Sequence, residues 1–154
     1  LNPKGVKLLI VGPDAGDEDR LIELAHDPFH EHVHFLGEVS ESAKRDLLAG
    51  AEFLVLPSRY EAQGIVILEA WAQGTPVIAP NVPSMRGFVV GGVNGLLSTP
   101  GNIKELALQM NYLLGDKTWR QEMGKGGRED VKAYQWEMIG DRFLYVYNSV
   151  RDFP

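Results

Sequence analysis

Two glutamates, Glu61 and Glu69, stand with seven residues between them, and Gly64 lies in that interval. The apolar run Phe53-Leu54-Val55-Leu56 before them reads as a buried strand, and the apolar stretch after Gly64 reads as a helix that stops at Gly74, with Pro76 behind it. Strand, loop, helix and the next strand, Val77-Ile78-Ala79, thus follow in order. Gly64 falls where the loop becomes the helix, so the amides from about Gly64 to Val66 lack intrahelical partners and suit an anion. Glu61 sits in the loop before that end, and Glu69 comes five residues after Gly64, roughly 7–8 Å along the axis. A nucleotide diphosphate sugar has a matching layout, with hydroxyl-rich rings on either side of a diphosphate.

A plainer reading makes Glu61 a surface loop residue and Glu69 a solvated helix position. Glu69, however, is set among Ile67, Leu68, Ala70, Trp71 and Ala72, where a charge is expected to be partly buried and to need a partner. A glycosidase could also use two carboxylates. Here one lies in a loop and the other along a helix whose end faces phosphate, a poor arrangement for flanking a glycosidic bond.

Residues 57 to 80 resemble the donor-site signature of the retaining GT-B glycosyltransferases of the glycogen synthase and mannosyltransferase type. The resemblance is carried by Pro57-Ser58, Glu61, Gly64, Glu69-Ala70, Gly74-Thr75-Pro76-Val77-Ile78 and then Asn94-Gly95-Leu96-Leu97. It implies that Glu61 holds sugar hydroxyls near the anomeric centre, that Glu69 holds the ribose, and that the amides around Gly64 and Ile65 hold the sugar and distal phosphate. Gln63 takes a place where the family commonly has an aromatic residue and is counted with the donor contacts. The Gly37-Glu38-Val39 turn resembles the family's base-contacting loop, where backbone groups do most of the recognition. The resemblance further implies a nucleotide diphosphate sugar as donor, no cofactor, and no metal ion.

Composition bounds these readings. With 154 residues and 44% hydrophobic content, the chain is expected to form one nucleotide-sugar-binding domain, residues 1–154, with a real core. No apolar run is long enough for a transmembrane span, and the opening residues do not read as a signal peptide. A net charge of −6 argues against nucleic acid as a partner, so any phosphate site must be positive locally. The absence of cysteine excludes disulfides and thiolate chemistry. The expected location is cytoplasmic, with the membrane periphery open for a full-length protein.

Elsewhere, Val6 to Val11 reads as a strand ending at Gly12-Pro13, and Asp17 to about His26 as a helix. Gly12 is a candidate ligand contact, whereas Asp14, Asp17, Glu18 and Asp19 suit a helix start better than an anion. His32 to Gly37 alternates as a half-buried strand should, with an edge showing its polar side to water as the expectation. His30, His32 and His34 raise a metal question, but no acidic or cysteine partner has suitable spacing. Ser40 suits an N-cap for a helix ending near Gly50.

Residues 81 to 92 read as loop. The family usually has a glycine-rich turn followed by a glutamate there, and this chain has Ser84-Met85-Arg86-Gly87, in which Arg86 either meets a phosphate or acceptor group or is solvated. Gly95-Leu96-Leu97 is a short strand, and Pro100-Gly101-Asn102 opens a helix. Residues 117 to 133 form another helix, with Gly124, Gly126 and Gly127 weakening its middle. A phosphate-loop reading of Gly124-Lys125-Gly126-Gly127 fails because no strand precedes it. Tyr134 to Tyr147 is an aromatic amphipathic helix expected to pack, although the resemblance sends it toward a partner domain.

Strands alternating with helices give an α/β class with a doubly wound, Rossmann-like parallel sheet. By resemblance this is expected to be the C-terminal half of a GT-B glycosyltransferase, lacking its first strand. Family members carry there an arginine and a lysine that clamp the diphosphate, and they have an N-terminal acceptor domain. Neither fits into Leu1 to Gly5, and Lys4 precedes a strand where the clamp would follow one. With strand order 3-2-1-4-5-6 the sheet should be interrupted, so the chain is expected to be part of a longer protein, or to have the break filled by another segment or copy. Alone it is expected to be inactive. A non-catalytic module that binds a nucleotide or a partner is the alternative.

Overall fold

The computed structural model describes residues 5–14, 16–25 and 30–151. The chain divides after Lys44 into two compact units. In the first, strand β1 (Leu8–Val11) pairs in parallel with strand β2 (Val33–Gly37), Leu8 opposite Val33 and Ile10 opposite Phe35. The register shifts after Ile10, so Val11 faces Gly37. Helix α1 (Glu18–Leu24) lies between them in sequence, and helix α2 (Glu41–Gly50) runs across the division. Ser40 Oγ accepts from the Ala43 amide at 3.2 Å, the expected N-cap bond. His26, where the sequence placed the end of α1, and Lys4 lie outside the described residues.

The second unit orders strands β3 (Leu54–Val55), β4 (Val77–Pro80) and β5 (Gly95–Ser98) with β4 central and all pairs parallel. Every residue of β4 is buried, which matches its unbroken apolar run, since a central strand covered on both faces has no polar side. β3 was expected to be buried and is half-buried, because β4 is its only ladder partner among the described residues. Among the described residues the strands form two separate ladders, β1–β2 and β3–β4–β5.

Helix α3 (Ile65–Gln73) runs between Gly64 and Gly74, the bounds the sequence implied, and both glycines have left-handed backbone. It buries Ile67, Ala70 and Trp71 in one cluster with Val77, Ala79, Met85 and Val89. At its far end the Gly74 amide donates to Trp71 O and the Thr75 amide to Ala70 O, which closes the helix in a Schellman motif.

Helix α5 (Ile103–Gly115) starts at Asn102, whose side chain accepts from the Glu105 amide. Helix α6 (Lys117–Asp130) follows directly and is unbroken. The expectation that its glycines weaken it meets a tertiary reason for their presence. A Cβ on Gly124 would lie 2.0 Å from Gly74 O, one on Gly126 2.1 Å from Val93 O, and one on Gly127 2.3 Å from the Trp71 ring. Only bare backbone lets α6 lie so close to the end of α3. Arg128 Nη2 also donates to Gln73 O, satisfying a carbonyl of α3's last turn.

Three further expectations are corrected. Residues 81 to 92 are not all loop: Pro83–Arg86 form a single turn of helix, α4, because Pro83 at the first helical position sets φ in advance. β2 does not turn its polar side to water, for His34 is half-buried with Nε2 lacking a partner among the described residues, while Leu36 is exposed. Helix α7 (Trp136–Arg151), reached through a 3-10 turn at Val131–Tyr134, buries no residue, and its Trp136, Phe143, Tyr145 and Tyr147 are all exposed. Among the described residues no helix is long and apolar enough to cross a membrane.

Candidate functional site

The loop after β3 is held by the start of α3. The Gly64 amide donates to Glu61 Oε1 at 3.0 Å, so the half-buried Glu61 carboxylate lies at the positive end of the helix. Gly64 is buried at φ +63°, and a Cβ there would meet Ile67 Cδ1 at 3.0 Å and Met85 Sδ at 3.3 Å. Both the backbone conformation and the space therefore call for glycine. One of the amides expected to be open to an anion is thus occupied by Glu61 itself. The amides of Ile65 and Val66 remain in the first turn, where no intrahelical acceptor exists.

Gln63 and Ile65 are exposed on either side of Gly64. Glu69 is half-buried, in keeping with the expectation from its apolar neighbours, and it lies four residues from Ile65, on the same stripe of α3 and off the stripe that packs inward. Across from the loop, Ser84 Oγ donates to the Glu61 carbonyl and Met85 packs beneath Gly64. Arg86 is exposed, with Nε bonded to Asn81 Oδ1 at 2.8 Å and Nη2 3.5 Å from Asn81 O, so those groups staple its own turn.

Glu61, Gln63, Gly64, Ile65, Glu69 and Arg86 belong to the second unit, and Gly12, Gly37 and Val39 to the first. Within the first, Gly12 and Gly37 are brought together: the Gly12 amide donates to Gly37 O at 2.9 Å, and both glycines line a cavity of about 160 Å3 with Pro13 and Asp14. Asp14 Oδ1 accepts from the Gly16 amide at 2.8 Å and the Glu18 amide at 3.3 Å, while Asp17 pairs with Arg20, so this acidic run serves the start of α1. Among the described residues no group of three or more histidine and acidic side chains could hold a metal ion; the His30 side chain is outside them.

Ser84 and Met85 were missed as parts of the site. The sequence showed them only as a departure from the family's glycine-rich turn, and the contact with Glu61 spans 23 positions. The matched Asn94 proves structural. It is buried, accepts from the Val90 amide at 2.8 Å, and donates to Asp130 Oδ2 at 2.7 Å, while Trp71 Nε1 donates to its carbonyl at 2.8 Å.

This loop, helix and sheet arrangement recurs in known proteins. The family described as "Glycosyl transferases group 1" matches residues 2–130. A phosphatidyl-myo-inositol mannosyltransferase of Mycobacterium leprae is 34% identical over 146 residues, which are 94% of this chain and 38% of that protein. A sucrose-phosphate synthase from Thermosynechococcus elongatus superposes with a TM-score of 0.81 at 35% identity, over 94% of this chain and 38% of its own. The HepE protein of Anabaena, in complex with UDP-glucose, does so with a TM-score of 0.79 at 26% identity, over 96% of this chain and 42% of its own. The chain thus spans about two fifths of the length of these relatives, and its fold is the C-terminal half of the GT-B architecture. It belongs to the glycosyl transferases group 1 family.

Proposed function

We propose that the chain is the donor-binding domain of a retaining glycosyltransferase that moves a sugar from a nucleotide diphosphate sugar to an acceptor hydroxyl. The observation that carries this reading is the bond from the Gly64 amide to Glu61 Oε1, which sets a carboxylate at the start of α3 beside first-turn amides. Sugar hydroxyls donate to Glu61, the distal phosphate takes the amides of Ile65 and Val66, and Glu69 accepts from the ribose one turn along the same stripe. As the sugar–phosphate bond breaks, negative charge grows on the leaving diphosphate, and the helix end stabilises it there. Gln63 and the Nη1 end of Arg86 reach the same donor from the loop side. Gly12, Gly37 and Val39 supply backbone contacts to the base. No metal ion or cofactor enters this scheme, and a separate domain of a longer protein holds the acceptor. The UDP-glucose bound to HepE supports the donor class.

The test is calorimetric titration of the native polypeptide containing these residues with UDP, GDP and ADP, repeated with Glu69→Ala. One nucleotide should bind, and the variant should lose roughly tenfold or more in affinity, as expected for a hydrogen bond to a charged group. Equal affinity in the variant refutes the ribose role. Binding without sugar transfer to any acceptor would favour a non-catalytic module.

A further inference from the structure

We propose that Ser84 is a positioning residue that sets the Glu61 carboxylate for the sugar of the donor. The inference rests on the donor-site reading above. Glu61 lies in an irregular loop, and its own side-chain bond to Gly64 closes only a local ring between positions three apart. Among the described residues, the Ser84 hydroxyl is the only group from outside that loop to hydrogen-bond Glu61, and it takes the main-chain carbonyl.

Ser84 can serve as an anchor because its own place is fixed. The Asn81 amide donates to Ser98 O at 2.8 Å, tying the segment to the end of β5. Arg86 Nε closes the turn onto Asn81 Oδ1, and Met85 is 1% exposed beneath Gly64. Position therefore passes from the sheet through Asn81 and α4 to Ser84, and from Ser84 to the Glu61 peptide. One carboxylate oxygen, Oε1, is spent on Gly64, whereas Oε2 meets no donor among the described residues and is the oxygen left for a sugar hydroxyl. Releasing the carbonyl frees the Glu61 peptide to rotate, which moves Oε2 while α3 and its first-turn amides stay where Met85 and Ile67 hold them. The sugar should feel that change, and the nucleotide should not.

The experiment compares affinities for the pairs UDP and UDP-glucose, GDP and GDP-mannose, and ADP and ADP-glucose in the native polypeptide, for wild type, Ser84→Ala, Ser84→Thr, Glu61→Ala and the Ser84→Ala/Glu61→Ala double variant. For the pair that binds, Ser84→Ala should weaken the nucleotide sugar roughly fivefold, the worth of one hydrogen bond, and leave the bare nucleotide unchanged. Ser84→Thr should restore the sugar affinity, and Ser84→Ala should add nothing once Glu61 is alanine. Equal loss for nucleotide and nucleotide sugar, or additive losses in the double variant, would mean a general packing role and overturn the inference. Wild-type binding that Ser84→Ala leaves untouched overturns it alone. No binding of any pair by wild type overturns the donor reading together with it.

Discussion

At Gly64 a single missing side chain serves two purposes. The left-handed backbone turns the loop into α3 and aims the amide at Glu61, and the vacant Cβ position leaves room for Met85 and Ile67. Gly64→Ala should therefore cost about 1–2 kcal/mol for the left-handed conformation. The contacts of 3.0 Å with Ile67 and 3.3 Å with Met85 add to that cost, because Met85 is buried and has little room to withdraw. Urea unfolding should show a midpoint lowered accordingly, and nucleotide-sugar affinity should fall with it. A variant as stable as wild type would mean that the loop relaxes and that Gly64 is not the constraint on Glu61. The glycine and the glutamate three residues before it were both visible in the sequence because capping is local chemistry. Ser84 was not, since its partner lies in another element and its residue type alone suggests only a polar loop.

Among the elements, α6 shows best how local and tertiary rules compete. Helix propensity disfavours Gly124, Gly126 and Gly127, yet each meets backbone or the Trp71 ring where a methyl group would stand. Gly127→Ala should thus destabilise the protein by about 1–3 kcal/mol through overpacking, despite a propensity gain near 1 kcal/mol. Gly115→Ala, at the end of α5 with nothing within 4 Å, should be neutral or stabilising by up to about 1 kcal/mol. Thermal or urea melts should show a loss for Gly127→Ala and none for Gly115→Ala, and an equal loss in both, or none in Gly127→Ala, would refute the close-approach argument. Both ends of α3, the start of α5 and strand β4 were legible because caps and unbroken apolar runs write themselves into neighbouring residues. The reason for the α6 glycines was illegible because it lies 33 to 56 positions away at Val93, Gly74 and Trp71, and α4 was hidden because one helical turn has no period to read. The spacing of α7 shows that it has an apolar face but says nothing of what covers it.

Over the whole molecule the buried core is uneven. Trp71, Ile67, Ile78, Met85, Leu113 and Met123 all lie in the second unit, whereas no described residue up to Lys44 is buried. The ladder between β1 and β2 is therefore supported by half-buried and exposed side chains such as Leu8, Leu9 and Val11, and two strands with little burial are marginal by themselves. Local opening of such a segment costs less than global unfolding. Native-state hydrogen exchange should find the Ile78 and Ala79 amides of β4 among the slowest, opening only with the whole unit, while the β1 and β2 amides exchange by a cheaper route that barely depends on denaturant. If Gly12, Gly37 and Val39 contact the base as proposed, nucleotide at a hundred times its dissociation constant should raise the opening free energy of β1 and β2 by up to about 2.7 kcal/mol, because only the closed form binds. Uniform protection across both units without ligand would contradict the uneven core. Protection that rises around α3 and leaves β1 and β2 unchanged would remove those three residues from the proposed site, without touching Glu61 or Glu69.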